Sequence, residues 1–127
     1  MLIGIGIDIL QIERLNSMNI AKLSEKIFSE NEKNEFFKIS SLKRRNEYFA
    51  GRFSSKEAFF KATGKGIRDF PLSSVEVIND VYGKPEFNIS RKILDFYFSA
   101  EVLIHLSISH EKEYAVAMVI VEKIGGL

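Results

Sequence analysis

The sequence predicts one domain, spanning residues 1–127, in which strands and helices follow in the order β, several α, ββ, α, ββ. Three observations carry that reading. A chain of 127 residues with 46% hydrophobic content is of one-domain size and can close a modest core without covalent staples. Branched apolar residues alternate in period two near both ends of the chain. Between those ends, apolar residues recur at helical spacing.

Residues 2–9, LIGIGIDI, read as a buried strand whose glycines let something approach its backbone closely, with Asp8 near the strand's end. Ile12 and Leu15 repeat at helical spacing, as do Ile20, Leu23, Ile27 and Phe28, with a break near Ser17 to Asn19. Ser29-Glu30-Asn31-Glu32 fits a capping box, in which the Ser hydroxyl and the Glu carboxylate satisfy orphan amides at a new helix start. Phe36 and Phe37 are that helix's expected core contacts. The longest helix is expected over residues 45–63, stopped by Gly64 and Gly66. At about 100° per residue, Phe49, Phe53 and Phe60 fall on one side of it and Tyr48 and Phe59 on another, which predicts cover on more than one face and points to a subunit interface. Beyond Pro71, SSVEVIND alternates as a strand, Tyr82-Gly83-Lys84-Pro85 supplies a turn and EFNI resumes extended structure, a hairpin. A short helix follows over residues 91–98, then two strands, VLIHLSIS and YAVAMVIVE, separated by His110-Glu111-Lys112-Glu113.

The chain has no cysteine, so disulfides and thiolate metal sites are excluded and any metal must be held by oxygen or imidazole. No apolar run approaches the roughly 20 residues that span a bilayer, and MLIGIGIDIL lacks a basic leader region, so a cytoplasmic protein without a membrane partner is expected. Net charge is only +1, yet residues 43–68 carry eight basic side chains (Lys43, Arg44, Arg45, Arg52, Lys56, Lys61, Lys65, Arg68) against two acids, Glu47 and Glu57. Such concentration suggests a defined anionic ligand or partner; a solvated basic helix face is the plain alternative.

Glu57 and Lys61 stand four apart on the long helix, on a stripe shared with the small residues Ala50, Ser54 and Gly64 beside the Phe53 and Phe60 side. That arrangement leaves room for a ligand, although most such pairs are only exposed helix decoration. Asp8, at the end of a glycine-bearing strand, can meet Glu57 across strand-helix packing. Two such carboxylates make a hard-oxygen Mg²⁺ site, completed by water and ligand phosphate, which Lys61 would face. A turn or capping acid is the structural alternative for Asp8. Gly64-Lys65-Gly66 could cradle phosphate on backbone amides or simply end the helix, and no Walker spacing is present. His110, at a strand end, could bond phosphate or cap the turn, whereas His105, mid-strand, reads as structural. Neither HExxH nor paired CxxC occurs, so zinc-enzyme readings have nothing specific behind them, and no Ser-His-Asp arrangement is evident.

GIGIDILQIERL, FAGRFSSKEAFFKATGKGI, VEVINDVYGKP and LSISHEKEYAVAMVIVE stand in this order across nearly the whole chain. Together they closely resemble the holo-[acyl-carrier-protein] synthase family of phosphopantetheinyl transferases. The resemblance implies an α+β fold of β-α-α-α-β-β-α-β-β order, assembled as a homotrimer with coenzyme A between neighbouring subunits. It implies Asp8 and Glu57 as Mg²⁺ ligands and Lys61 beside the pyrophosphate. It places Arg52, the Gly83-Lys84-Pro85 turn and His110 among the coenzyme A contacts, and Arg14 on the helix that receives the acidic acyl carrier protein. Ser54, Ser55, Thr63 and the segment through Phe96 and Phe98 depart from the family pattern without touching the implied metal or lysine positions.

The activity implied is transfer of 4′-phosphopantetheine from coenzyme A to a carrier-protein serine, leaving adenosine 3′,5′-bisphosphate, with Glu57 the candidate base. Two rivals stand beside it. One is a nucleic-acid module using residues 43–68; the other is a non-catalytic scaffold of the same fold. The enzyme reading expects no nucleic-acid partner and leaves the choice of carrier open.

Overall fold

The computed structural model describes residues 1–65 and 68–125. In chain order it has β1 (Leu2–Gln11), a 3-10 helix (Ile12–Ser17), α1 (Ile20–Ile27), α2 (Glu30–Lys38) and α3 (Leu42–Ala62). A short 3-10 turn (Leu72–Ser74) leads into β2 (Val75–Asn79) and β3 (Pro85–Ile89), followed by α4 (Arg91–Tyr97), β4 (Val102–His110) and β5 (Tyr114–Lys123). The expected α+β order is observed. β1, β5 and β4 form an antiparallel sheet with β5 in the centre, and β2 and β3 form a separate hairpin.

Local chemistry explains the boundaries. Asn19, Ser29, Ser41 and Ser90 each accept a hydrogen bond from a backbone N–H of the helix they precede, satisfying a donor that would otherwise be orphaned. At α2 the capping box is complete: the Ser29 hydroxyl accepts from Glu32 N–H while the Glu32 carboxylate accepts from Ser29 N–H. The Ser41 cap starts α3 at Leu42, three residues before its expected beginning. Gly64, with φ at 73°, takes the left-handed conformation just past the helix. Gly66, the second expected stop and part of the possible phosphate cradle, lies outside the described residues.

α3 lies across the inner face of the three-stranded sheet, and the close approach foreseen at the β1 glycines is made by α3 itself. A Cβ on Gly4 would collide with the Ala62 carbonyl, and one on Gly6 with the Ala58 carbonyl. Ala50 and Ser54 of the small stripe are fully buried, so these two seat the helix and do not line a ligand cleft as expected.

Two apolar clusters flank α3. One joins Phe59 and Phe60 to Leu72, Val77, Tyr97 and Val119; the other joins Phe49 to Leu15, Phe28, Phe36 and Ala115. Ring pairs such as Phe28–Phe36, with centroids 5.4 Å apart, and Phe59–Tyr97, at 6.2 Å, meet edge to face. The helix is covered on more than one face, as its pattern required: Phe49, Phe59 and Phe60 are buried by their own chain, while Tyr48 and Phe53 stay partly open on clefts. Phe36 is buried while Phe37 is exposed, because it lies about 100° further round a helix that has only one face against the core.

The reading of β1 as a buried strand is corrected too. Its inner face packs on α3, while Ile3, Ile5, Ile7 and Ile9 are exposed on the other, beside Met118 of β5 and Leu103 of β4. Among the described residues no helix is long and apolar enough to cross a membrane.

Within α3, Lys56 is completely buried. Its ammonium donates to Glu32 Oε1 at 2.7 Å and to the carbonyls of Leu72 and Val75 at 3.1 and 2.7 Å. Glu32 Oε2 also accepts from Val77 N–H at 2.8 Å, so one ion pair ties α2, α3 and β2 together. Burial pulls the Lys56 pKa below its usual 10.5 even though Glu32 opposes the shift.

Candidate active site

The seating of β1 on α3 determines where Asp8 points. Two residues beyond Gly6 on the same strand face, its side chain meets α3 one turn from the Ala58 contact. There Lys61 Nζ donates to Asp8 Oδ1 and to the Ile7 carbonyl, each at 3.0 Å. Glu57, one turn earlier on α3, accepts from Arg68 Nη1 at 2.6 Å. Asp8 and Glu57 open on one cleft, shared with Arg14, Leu23, Phe49 and Phe53. The four-residue spacing of Glu57 and Lys61 therefore places both beside Asp8 without joining them to each other: each bonds a group from elsewhere in the chain.

The donor set fits a hard divalent cation. Two carboxylates from different elements face one cleft, and among the described residues no third His, Cys, Asp or Glu groups with them. Water and ligand oxygens would fill the other positions, as Mg²⁺ prefers. Both carboxylates lie partly open, with side-chain exposures of 16% for Asp8 and 26% for Glu57, so a cation can reach them.

The other expected site residues fall into separate groups. Arg14, on the 3-10 helix after β1, is exposed on the Asp8–Glu57 cleft, and Gly64 follows α3 three residues after Lys61. Arg52 opens on another cleft with Asn31, Tyr48 and Val77. Its Nη2 donates to Asn79 Oδ1 at 3.0 Å, its guanidinium lies 4.4 Å from the centre of the Tyr48 ring, and its buried Nε has no partner among the described residues. Burial pushes the Tyr48 hydroxyl up to about 12, against the lowering effect of Arg52. Asn79 pairs with Pro85 across the hairpin, which brings the Gly83-Lys84-Pro85 turn to the Arg52 side. That turn is set by Asp80 Oδ1, which accepts from the N–H groups of Tyr82 and Lys84, and by Gly83 at φ 83°. His110 ends β4, with Nδ1 3.6 Å from Glu47 Oε2, near the start of α3. His105 is mid-strand as expected, exposed, and bonded to Glu122 at 3.0 Å.

Sequence reasoning missed two features. Arg68 was only one cation in a basic stretch, and nothing local ties it to Glu57 eleven residues earlier. Lys56 was counted in the same stretch, but it is buried against Glu32. The eight cations are thus no uniform face: Lys56 is internal, Lys61 and Arg68 are paired with Asp8 and Glu57, and Arg45 bonds the Phe37 and Ile39 carbonyls.

Comparison with known proteins adds what geometry alone does not. Residues 4–119 match the 4′-phosphopantetheinyl transferase superfamily. The chain belongs to this superfamily. A holo-[acyl-carrier-protein] synthase from Halalkalibacterium halodurans is 42% identical over 127 residues, covering 98% of each chain. The crystal structure of a holo-(acyl-carrier-protein) synthase from Bacillus anthracis, in complex with CoA (3′,5′-ADP), superposes with a TM-score of 0.83 at 42% identity, covering 98% of this chain and 99% of that one. The Neisseria meningitidis synthase gives a TM-score of 0.83 at 32% identity, over 97% of this chain and all of the other. The transferase family thus matches this chain in sequence and in fold along almost its whole length.

Proposed function

We propose that this transferase moves 4′-phosphopantetheine from coenzyme A to a serine of an apo-acyl carrier protein, giving holo-carrier protein and adenosine 3′,5′-bisphosphate. The observation that carries the reading is the convergence of Asp8, Glu57 and Arg14 on one cleft, with Lys61 bonded to Asp8, in a chain similar over nearly its full length to holo-[acyl-carrier-protein] synthases. In this reading Asp8 and Glu57 hold Mg²⁺, whose bound charge would offset that of the coenzyme A pyrophosphate. Lys61 turns from Asp8 to the phosphate oxygens and neutralises them. The serine oxygen forms a bond to the β-phosphorus as the bond to the departing adenosine bisphosphate breaks, and Glu57, directly or through water, takes the serine proton. Arg14, exposed on the same cleft, would meet an acidic carrier.

Two observations support a homotrimer with shared sites. The apolar outer face of the sheet, Ile3, Ile5, Ile7 and Ile9 with Met118 and Leu103, is of the kind that a second copy covers. The expected coenzyme contacts are also divided: Arg52 lines a cleft separate from that of Asp8, so one chain's cleft would be completed by its neighbour's Arg52 side. We assign the protein to the cytoplasm and to fatty-acid carrier modification on the same reading.

The decisive experiment mixes the protein with apo-acyl carrier protein, coenzyme A and Mg²⁺ and weighs the carrier by mass spectrometry. A gain of one phosphopantetheine is expected. An unchanged carrier mass, where an authentic synthase modifies the same sample, would leave the non-catalytic scaffold as the better description.

A further inference from the structure

Arg68 has no part in the chemistry above, yet it makes one of the shortest polar contacts at the site. Its Nη1 donates to Glu57 Oε1 at 2.6 Å, a short charge-assisted hydrogen bond. Both partners are open to water, with side-chain exposures of 47% for Arg68 and 26% for Glu57, so the guanidinium can leave without stranding a buried charge. The segment around Arg68 is anchored independently of that bond. Asp69 N–H donates to the Tyr97 hydroxyl at 3.1 Å, and the Phe70 ring packs edge-on against Phe96 and Tyr97 at 5.2 and 5.9 Å. A displaced Arg68 would therefore stay beside the cleft.

The other carboxylate is in the same condition: Asp8 is held by Lys61. Each oxygen donor assigned to the cation thus already has a positive partner from its own chain. A divalent ion approaching Glu57 must compete with a guanidinium for the same oxygen and must also tolerate its charge nearby.

We propose that Arg68 is the internal counter-ion that Glu57 exchanges for the divalent cation, a positioning residue that holds the carboxylate over the cleft while setting the metal concentration at which the site fills. This rests on the assignment of Glu57 as a metal ligand. Its signature runs against ordinary damage, because removing a merely structural contact would loosen the site and weaken metal binding, whereas removing a competitor strengthens it.

The test titrates Mn²⁺, as a spectroscopic stand-in for Mg²⁺, into the full-length protein without coenzyme A or carrier, reading free Mn²⁺ by electron paramagnetic resonance. Circular dichroism checks that each variant is folded. R68Q should bind about tenfold tighter than the unmodified protein, the scale of one hydrogen bond to a charged group. On an E57Q background, the Arg68 substitution should no longer alter binding. Equal or weaker binding by R68Q overturns the proposal. Binding that is lost in E57Q but indifferent to Arg68 removes the counter-ion role and leaves the metal site standing. No binding by any of the proteins removes both.

Discussion

Lys56 and Glu57 are neighbours on α3, and each makes one ion pair of nearly the same length, 2.7 Å to Glu32 and 2.6 Å to Arg68. Their surroundings differ in every other respect. Lys56 and Glu32 have side-chain exposures of 0% and 1%, and backbone groups satisfy what they do not give each other. Such a pair cannot open without leaving a charge in a medium that does not solvate it. Glu57 and Arg68 have water within reach, so either can trade its partner for another ion at little cost. Helical geometry makes this division, because consecutive residues point about 100° apart and one position serves the core while the next serves the cleft. The buried pair joins the elements that hold α3 still; the open pair sits where exchange is useful.

The largest effect should come from breaking the inner pair. Lys56→Met leaves the Glu32 carboxylate uncompensated and should lower unfolding free energy by about 3–5 kcal/mol, read from urea midpoints at neutral pH. A loss below about 1 kcal/mol would show that Lys56 is not the tie it looks to be. Glu57→Gln should behave in the opposite way. Turnover should fall at least about a hundredfold, as for loss of a group acting on the reacting atoms, while the urea midpoint moves by less than about 1 kcal/mol in free-energy terms. Matching losses in both assays would erase the distinction between the two pairs.

The smallest effect concerns Glu76, which lies beside the inner pair. Burial alone would raise its pKa, but hydrogen bonds from Ser29, Asn88 and Asn31 overcome that and hold the carboxyl below its usual 4.5. A depressed folded pKa means that its stabilising contribution is complete above pH 4.5 and drains as the pH falls through the lower folded value. Glu76→Gln should flatten the fall in stability below that pH, followed by urea melts in acid. An unchanged acid profile would place the sensitivity elsewhere.

Much of this was legible in the amino-acid order where the signal is local. The Ser29 capping box, the hairpin turn at Gly83 and the break before Ile20 are written within a few residues, and all three are present. Asp8, Glu57 and Lys61 were also found together, because the β1 glycines announced a close backbone contact that α3 supplies. What could not be read was which partner each charge would take. Arg68 meets Glu57 only because the chain turns back after α3, and Lys56 meets Glu32 across 24 residues. Phe37 and the Ile3 to Ile9 row show the same limit for apolar groups: periodicity reveals a face, but not whether anything lies against it.

The sheet order also has a consequence in time. Among the described residues β1 has its only ladder with β5, so the first strand described has its partner in the last, with more than a hundred residues between Leu10 and Ala115. Pairing across such a span must wait for loop closure and is slow relative to the local caps and turns. During synthesis on a ribosome the isoleucines of β1 emerge well before β5 and stay unpaired until it follows, an interval in which they are open to wrong neighbours. Growth temperature and chaperone supply should therefore affect the yield of this protein more than the stability of its finished fold would suggest.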